Sequence, residues 1–276
     1  MIADVEGGSS GPNVLVLASA SVAVLGYLAV WLRHPLRPRL RLACWLAGVG
    51  ALVAASSPWM ESLAAESFSG HMVQHLIIIA VAAPLLVLGE PVRVTGRTIH
   101  LPTSPRLRRV GAWWRRLAVV ISPALFVVVL FTTHLTTWYD ESLHHPLLHE
   151  AEHAAYLFGA TMTWAAVRGV GRTGAPARLG AVFGVSAAGA LLGMILMSAS
   201  DPLMPTYEAS LGTARALSDQ RAAASIMWVG GMLATLPLLL LAGWRWAAAE
   251  ERIALRTEAL TDRPTDPAHT TFMSRE

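Results

Sequence analysis

Apolar residues along this chain come in seven long blocks that are separated by shorter polar segments. The blocks are roughly 17 to 23 residues long, which is enough for a helix to cross a bilayer core about 30 Å thick. The pattern therefore predicts an all-α fold, a polytopic bundle of about seven transmembrane helices. The blocks lie at about 13–32, 42–57, 70–88, 117–137, 150–167, 179–199 and 221–243.

Arginine residues are concentrated in every second connection between these blocks. Four lie within 33–41, seven within 89–116 and three within 168–178. The first twelve residues and the alternate connections contain a single basic residue, which is Arg215. Since basic residues accumulate in cytoplasmic loops, this distribution predicts that the N-terminus is outside and the C-terminus is cytoplasmic.

The last apolar block divides the chain into two regions. Residues 1–245 are predicted to form the seven-helix membrane domain. Residues 246–276 are predicted to form a cytoplasmic tail, which begins with the helix-prone run AAAEERIALRTEAL and becomes polar and broken by proline from Thr261. We therefore expect this tail to be partly helical and then disordered.

The composition agrees with a protein that is solvated by lipid. Hydrophobic residues make up 54% of the chain and charged residues only 14%, whereas about 25% charged residues are typical of a soluble domain. The net charge of +3 is carried by arginines in short loops, where they encode membrane orientation, so no nucleic-acid partner is expected. The single cysteine, Cys44, excludes an internal disulfide and a cysteine-based metal motif.

Histidines are gathered on the predicted outer side, which holds seven of the ten. His71 and His75 stand four residues apart at the start of the third block, and His149 and His153 repeat this spacing at the fifth. Residues four apart share one face of a helix. His134 lies near the end of the fourth block, at a comparable depth. Three helices are thus expected to present five imidazoles in one layer.

This layer predicts a metal site. Neutral imidazole suits copper, zinc and iron, and facing helices of a bundle commonly hold metals or haem. Two i, i+4 pairs at matching depth favour contact with a metal or cofactor over a hydrogen-bonding role at the interface. The expected metal ligands are His71, His75, His134, His149 and His153. Ligating imidazoles need acceptors that fix the ring tautomer, and the candidates are Gln74, Glu150, Glu152, Asp201 and Asp219.

Two other interpretations remain open. Paired histidines on facing helices can bind haem iron axially, as in an electron-transfer protein. The segment His149–His153 also satisfies the H-E-x-x-H pattern, in which two histidines bind zinc and the glutamate, here Glu150, activates water. A zinc peptidase would need a third ligand, for which Asp201 or Asp219 is available, and it would leave the histidines of the third block without a role.

Three stretches resemble the CtaG-type cytochrome oxidase assembly family, the seven-helix membrane kind that is associated with caa-type oxidases. They span about 70–231, and their order, spacing and helix assignments agree. The first is His71-Met72-Val73-Gln74-His75 running into residues 83–91, and the second includes His134, Tyr139-Asp140, His149, Glu152-His153 and Trp164. The third includes Asp201-Pro202-Leu203, Pro205, Tyr207, Asp219-Gln220 and residues 226–231.

The resemblance implies a non-enzymatic, multi-pass factor of a bacterial plasma membrane that is needed to mature a haem-copper cytochrome c oxidase. It implies copper that is held transiently on the outer side and handed to an oxidase subunit in the same membrane. Haem and zinc remain the alternatives, and the client subunit stays open.

Overall fold

The computed structural model describes residues 14–34, 36–91, 94, 104–168 and 174–261, and within these ranges every regular element is helical. The prediction of an all-α bundle is confirmed. The helices are α1 (Val14–Arg33), α2 (Arg39–Ala55), α3 (Pro58–Glu66), α4 (Phe68–Gly89), α5 (Pro105–Leu135), α6 (Trp138–His144), α7 (Pro146–Arg168), α8 (Ala175–Ser198), α9 (Pro205–Leu211) and α10 (Thr213–Thr261).

Seven of these helices coincide with the seven apolar blocks, and the short helices α3, α6 and α9 fill connections predicted to face outward. In the described part of the chain, four stretches are long and apolar enough to cross a membrane, and they lie in α1, α4, α5 and α8. A fifth arises if α2 and α3, which are bent by 50°, form one broken span. The count of seven crossings and the orientation stay predictions.

The last helix passes the predicted domain boundary without a break. Helix α10 runs from Thr213 to Thr261, so residue 245 lies within it. Residues 262–276, for which disorder is expected, lie outside the described residues, as do Arg93 and Arg97 of the second arginine-rich connection. The division at residue 245 therefore stays a prediction.

Helix α4 lies between several others and contains a π-helical segment, Ile77–Ala82, directly after His75. Pro84 lacks an N–H group and removes a backbone hydrogen bond from this region. The indole of Trp164 on α7 donates to the freed Ile79 carbonyl oxygen over 3.1 Å. Segments of π-helix occur frequently at functional sites, and this one immediately follows a predicted metal ligand.

The far end of α4 is fixed by an ion-pair group that we call the Glu90 clamp, which consists of Arg41, Glu90 and Arg168. The Glu90 carboxylate lies 2.8 Å from the Arg41 guanidinium and 2.7 Å from that of Arg168. Glu90 itself has a left-handed backbone conformation, with φ of 49°. Arg168 also donates to the Val87 carbonyl oxygen over 2.8 Å, and Tyr27 donates to that of Gly89 over 2.7 Å. The terminal carbonyl groups of α4 thus have partners.

Candidate metal centre

The start of α4 is held by two caps, which fix the direction of the histidines that follow. The Ser67 hydroxyl accepts from the Gly70 N–H over 3.1 Å. Asp219 of α10 accepts from the Phe68 N–H over 2.7 Å and also bonds the backbone and hydroxyl of Ser69. A Cβ at Gly70 would overlap the Leu63 carbonyl group, so only glycine lets α3 approach this closely.

Four imidazoles from α4 and α7 pack against each other. The Nε2 atoms of His71 and His75 lie 3.0 Å apart. The ring centroids of His149 and His153 are 4.2 Å apart, and those of His75 and His153 are 5.4 Å apart. Together with His134, these residues are called the histidine cluster below. The structure brings the five predicted residues to one place, while their role as metal ligands stays a prediction.

Three of the imidazoles have a geometry that a metal ion could use. His71, His75 and His153 are buried, and one ring nitrogen of each lies within 4.8 Å of the other two. Two nitrogens that are 2.0–2.1 Å from a tetrahedral metal ion are roughly 3.3 Å apart. The Nε2 atoms of His71 and His75, which are 3.0 Å apart, are close to this separation. A shift of the third ring nitrogen by at most about 1.5 Å would complete a three-nitrogen set.

Several ring nitrogens of the cluster lack partners. In the described part of the chain, no hydrogen bond reaches His75 Nδ1, His149 Nε2 or His153 Nε2, although all three atoms are buried. Buried polar atoms normally have a partner, and each exception needs an explanation. Three such atoms lie in this one cluster.

His134 stands at the edge of the cluster. Its ring lies 6.2 Å from that of His75. Its Nδ1 atom is 2.8 Å from the Leu130 carbonyl oxygen, and its Nε2 atom is 3.3 Å from the Met72 sulfur. Both ring nitrogens are therefore engaged, and the three-nitrogen set does not include His134.

The tautomer of His71 is set by a chain of hydrogen bonds. Tyr207 donates its hydroxyl proton to the Ala64 carbonyl oxygen over 2.6 Å, so this phenol oxygen accepts from His71 Nδ1 over 3.4 Å. Burial raises the pKa of Tyr207 and that of Tyr139, which packs against the same imidazole, so both phenols stay protonated. His71 Nε2 therefore carries the lone pair of the ring and faces His75 Nε2 at 3.0 Å.

Glu61 is a site residue that the sequence patterns did not single out. Its Oε2 atom lies 3.7 Å from His149 Nδ1, and ligand atoms of Glu61, His149 and His153 lie within 4.8 Å of one another. Gln74 donates one amide to both Glu61 Oε1 and the Ala55 carbonyl oxygen, each over 2.8 Å. The only sequence feature that could have indicated Glu61 is that it is an acidic residue in a connection without arginine.

The five predicted tautomer-fixing residues have different positions. Gln74 orients Glu61 instead of an imidazole, and Asp219 caps α4 instead of reaching the cluster. Asp201 is exposed and accepts from the Ser200 hydroxyl over 2.9 Å, because it lies in the loop before α9. For Asp201 and Asp219, none of the described hydrogen bonds joins the carboxylate to a histidine.

The two glutamates of α7 lie close to the cluster. Glu150 is half-buried and near enough to Glu61 to repel its charge. Glu152 is fully buried beside the hydroxyl groups of Ser142 and Tyr156, yet in the described part of the chain neither carboxylate oxygen has a hydrogen bond of standard geometry. Glu152 is thus a buried acidic group close to the histidine cluster.

Comparison with known proteins gives a family and distant relatives. The family model described as "Cytochrome c oxidase caa3 assembly factor" matches residues 25–249. The chain is 26% identical over 269 residues to an uncharacterized protein of Mycobacterium bovis and 27% identical to one of Mycobacterium leprae. Each alignment covers 90% of this chain but 41% of the relative, so the chain spans about two fifths of the length of these proteins. No solved structure matches.

Proposed function

The chain belongs to the cytochrome c oxidase caa3 assembly factor family and is a membrane protein, and on this premise we propose that it is a multi-pass protein of the plasma membrane that binds copper and hands it to an oxidase subunit. The histidine cluster is the proposed copper site and faces the outer side. The proposed role is non-enzymatic, because the metal is cargo.

One observation carries this proposal: three buried imidazoles have ring nitrogens within 4.8 Å of one another, and two of these imidazoles have a nitrogen without a partner in the described part of the chain. Imidazole suits copper among the metals that an oxidase needs. Without a cysteine in the set, the site holds copper less tightly than thiolates would, which suits a protein that must release its cargo.

The direct test is to measure copper on the purified protein. The wild-type protein and the His75→Ala, His153→Ala double variant are loaded with Cu(I) under anaerobic conditions and passed through a desalting column. We expect one copper ion per wild-type chain and none on the double variant, since two of the three ligands are gone. His145→Ala is the matched control, because this histidine is exposed and pairs only with Glu141 among the described residues.

The same variants test the cellular role. A strain that lacks the gene is expected to lose cytochrome c oxidase activity and to recover it when copper is added to the medium. The His145→Ala protein should restore the activity and the double variant should not. Equal copper in the wild-type protein and the double variant, or full restoration by that variant, contradicts the proposal.

A zinc hydrolase is the second candidate, and a specific contact favours it. The H-E-x-x-H pattern needs a third ligand, and Glu61 is near His149 and His153, whereas neither Asp201 nor Asp219 has a described bond to them. Two histidines and a glutamate form a known catalytic zinc set. In this case Glu150→Gln would abolish the cellular function while zinc binding remains. Full function of Glu150→Gln retires the hydrolase.

Haem has less support from the geometry. A porphyrin needs a wide slot between its axial ligands, but the four imidazoles of α4 and α7 pack directly against each other. A cavity of about 100 Å³ lies deeper between α4, α5, α7, α8 and α10, and no histidine is among its described lining residues. The absorption spectrum of the purified protein decides the matter, because a Soret band would favour haem over copper.

A further inference from the structure

The ligand groups at the histidine cluster differ widely in exposure. The Glu61 side chain is 39% exposed and that of His149 is 16% exposed. His153 is 7% exposed, and His71 and His75 are 0% and 3% exposed. The series therefore leads from a solvent-accessible carboxylate to a fully buried pair of imidazoles.

These groups form two sets of three that have one residue in common. The outer set is Glu61, His149 and His153, and the inner set is His71, His75 and His153. Ligand atoms within each set lie within 4.8 Å of one another. The rings of His71 and His149, which belong to different sets, are only 5.1 Å apart at their centroids. A cation could thus pass from one set to the other by exchanging ligands one at a time.

The outer set has the chemistry of a loading site. A carboxylate at the opening attracts cations and raises their rate of entry. Gln74 holds Glu61 Oε1, which leaves Oε2 directed toward His149. Gln74 lies on α4 between the two inner histidines, so this amide couples the position of the outer carboxylate to the helix that carries the inner pair.

We propose that Glu61, His149 and His153 form an entry and exit site for the copper ion, and that His153 carries the ion between this site and the buried His71–His75 pair. This inference rests on the proposed copper function. The ion stays Cu(I) throughout, and each step replaces one nitrogen or oxygen ligand by another. Only one set is filled at a time, because both need His153.

The test separates the rate of copper exchange from the affinity. Cu(I)-loaded protein is mixed with the water-soluble chelator bathocuproine disulfonate, and the coloured complex is followed by stopped flow. Glu61→Gln is expected to slow removal and reloading by about tenfold, because the entrance loses its charge. The equilibrium affinity should change by much less than the two rates, because the inner ligands remain. A glutamine at this position still accepts from Gln74, which preserves the local fold.

Glu66→Gln is the matched control, since Glu66 is an exposed glutamate at the end of the same helix. It should exchange copper at the wild-type rate. Unchanged exchange kinetics in Glu61→Gln overturn the entry site and leave copper binding intact. A loss of affinity as large as the loss of rate also overturns it, because Glu61 would then be a ligand of a single site. Absence of copper from the wild-type protein refutes the proposed function itself.

Discussion

Helix α4 connects two polar regions that are built in opposite ways. At its end, the Glu90 clamp joins one carboxylate to two guanidinium groups over 2.8 and 2.7 Å, and the last carbonyl groups of the helix accept from Arg168 and Tyr27. At its start, the histidine cluster contains buried ring nitrogens without a partner in the described part of the chain.

We interpret the difference as that between a structural device and the proposed binding site. An ion pair that is removed from water stabilises a fold only when its charges and lone pairs are satisfied. A site for a cation must instead keep lone pairs free, and the protein bears the cost of burying them until the ligand arrives. The clamp should therefore determine stability, and the cluster should determine binding.

The largest expected effect is stabilisation by the metal. Cu(I) at about a thousand times its dissociation constant should stabilise the wild-type protein by about 4 kcal/mol, because it binds only the folded state. The increase should persist in Glu90→Ala and vanish in the His75→Ala, His153→Ala variant. Unfolding by SDS in mixed micelles, with and without copper, measures it. If copper stabilised the double histidine variant equally, the view that the clamp determines stability and the cluster determines copper binding would be contradicted.

The second effect concerns the clamp alone. Glu90→Ala leaves Arg41 and Arg168 without their shared carboxylate and is expected to lower the free energy of unfolding by about 2 kcal/mol, since both arginines are partly exposed. The same SDS titration measures this change. Copper stoichiometry should stay at the wild-type value. Glu258→Ala, at an exposed position near the end of α10, is the control and should change neither quantity.

The smallest effect is expected for a buried glutamate beside the histidine cluster. Glu152→Gln replaces a carboxylate, whose oxygens have no hydrogen bond of standard geometry in the described part of the chain, by a neutral group of the same shape. We expect the free energy of unfolding to stay within about 1 kcal/mol of the wild-type value or to rise. The free energy of unfolding of this variant is measured by the same SDS titration as that of Glu90→Ala. A loss as large as in the clamp variant would mean that Glu152 is a structural partner.

Local rules explain how much of the site could be predicted. His71 and His75, and likewise His149 and His153, share a helix face because four residues make about one turn. The two histidine pairs were predicted to lie at the same depth in the membrane because each pair stands at the start of an apolar block. Glu61 was not predicted, because its position beside His149 depends on tertiary packing, including the bend of 50° between α2 and α3. Asp201 was predicted to fix an imidazole tautomer, and none of its described hydrogen bonds reaches a histidine; its direction could not be predicted, because a loop residue has no periodicity.

The sequence by itself determined the helices and the side on which the histidines gather, because both depend on apolar length and on a repeat of 3.6 residues per turn. Only the tertiary structure decided which ring nitrogens meet, that Gln74 holds Glu61, that Asp219 caps α4, and that His134 turns toward Met72. These contacts join residues that are distant in the chain, so their distances depend on how the helices pack and not on any local pattern.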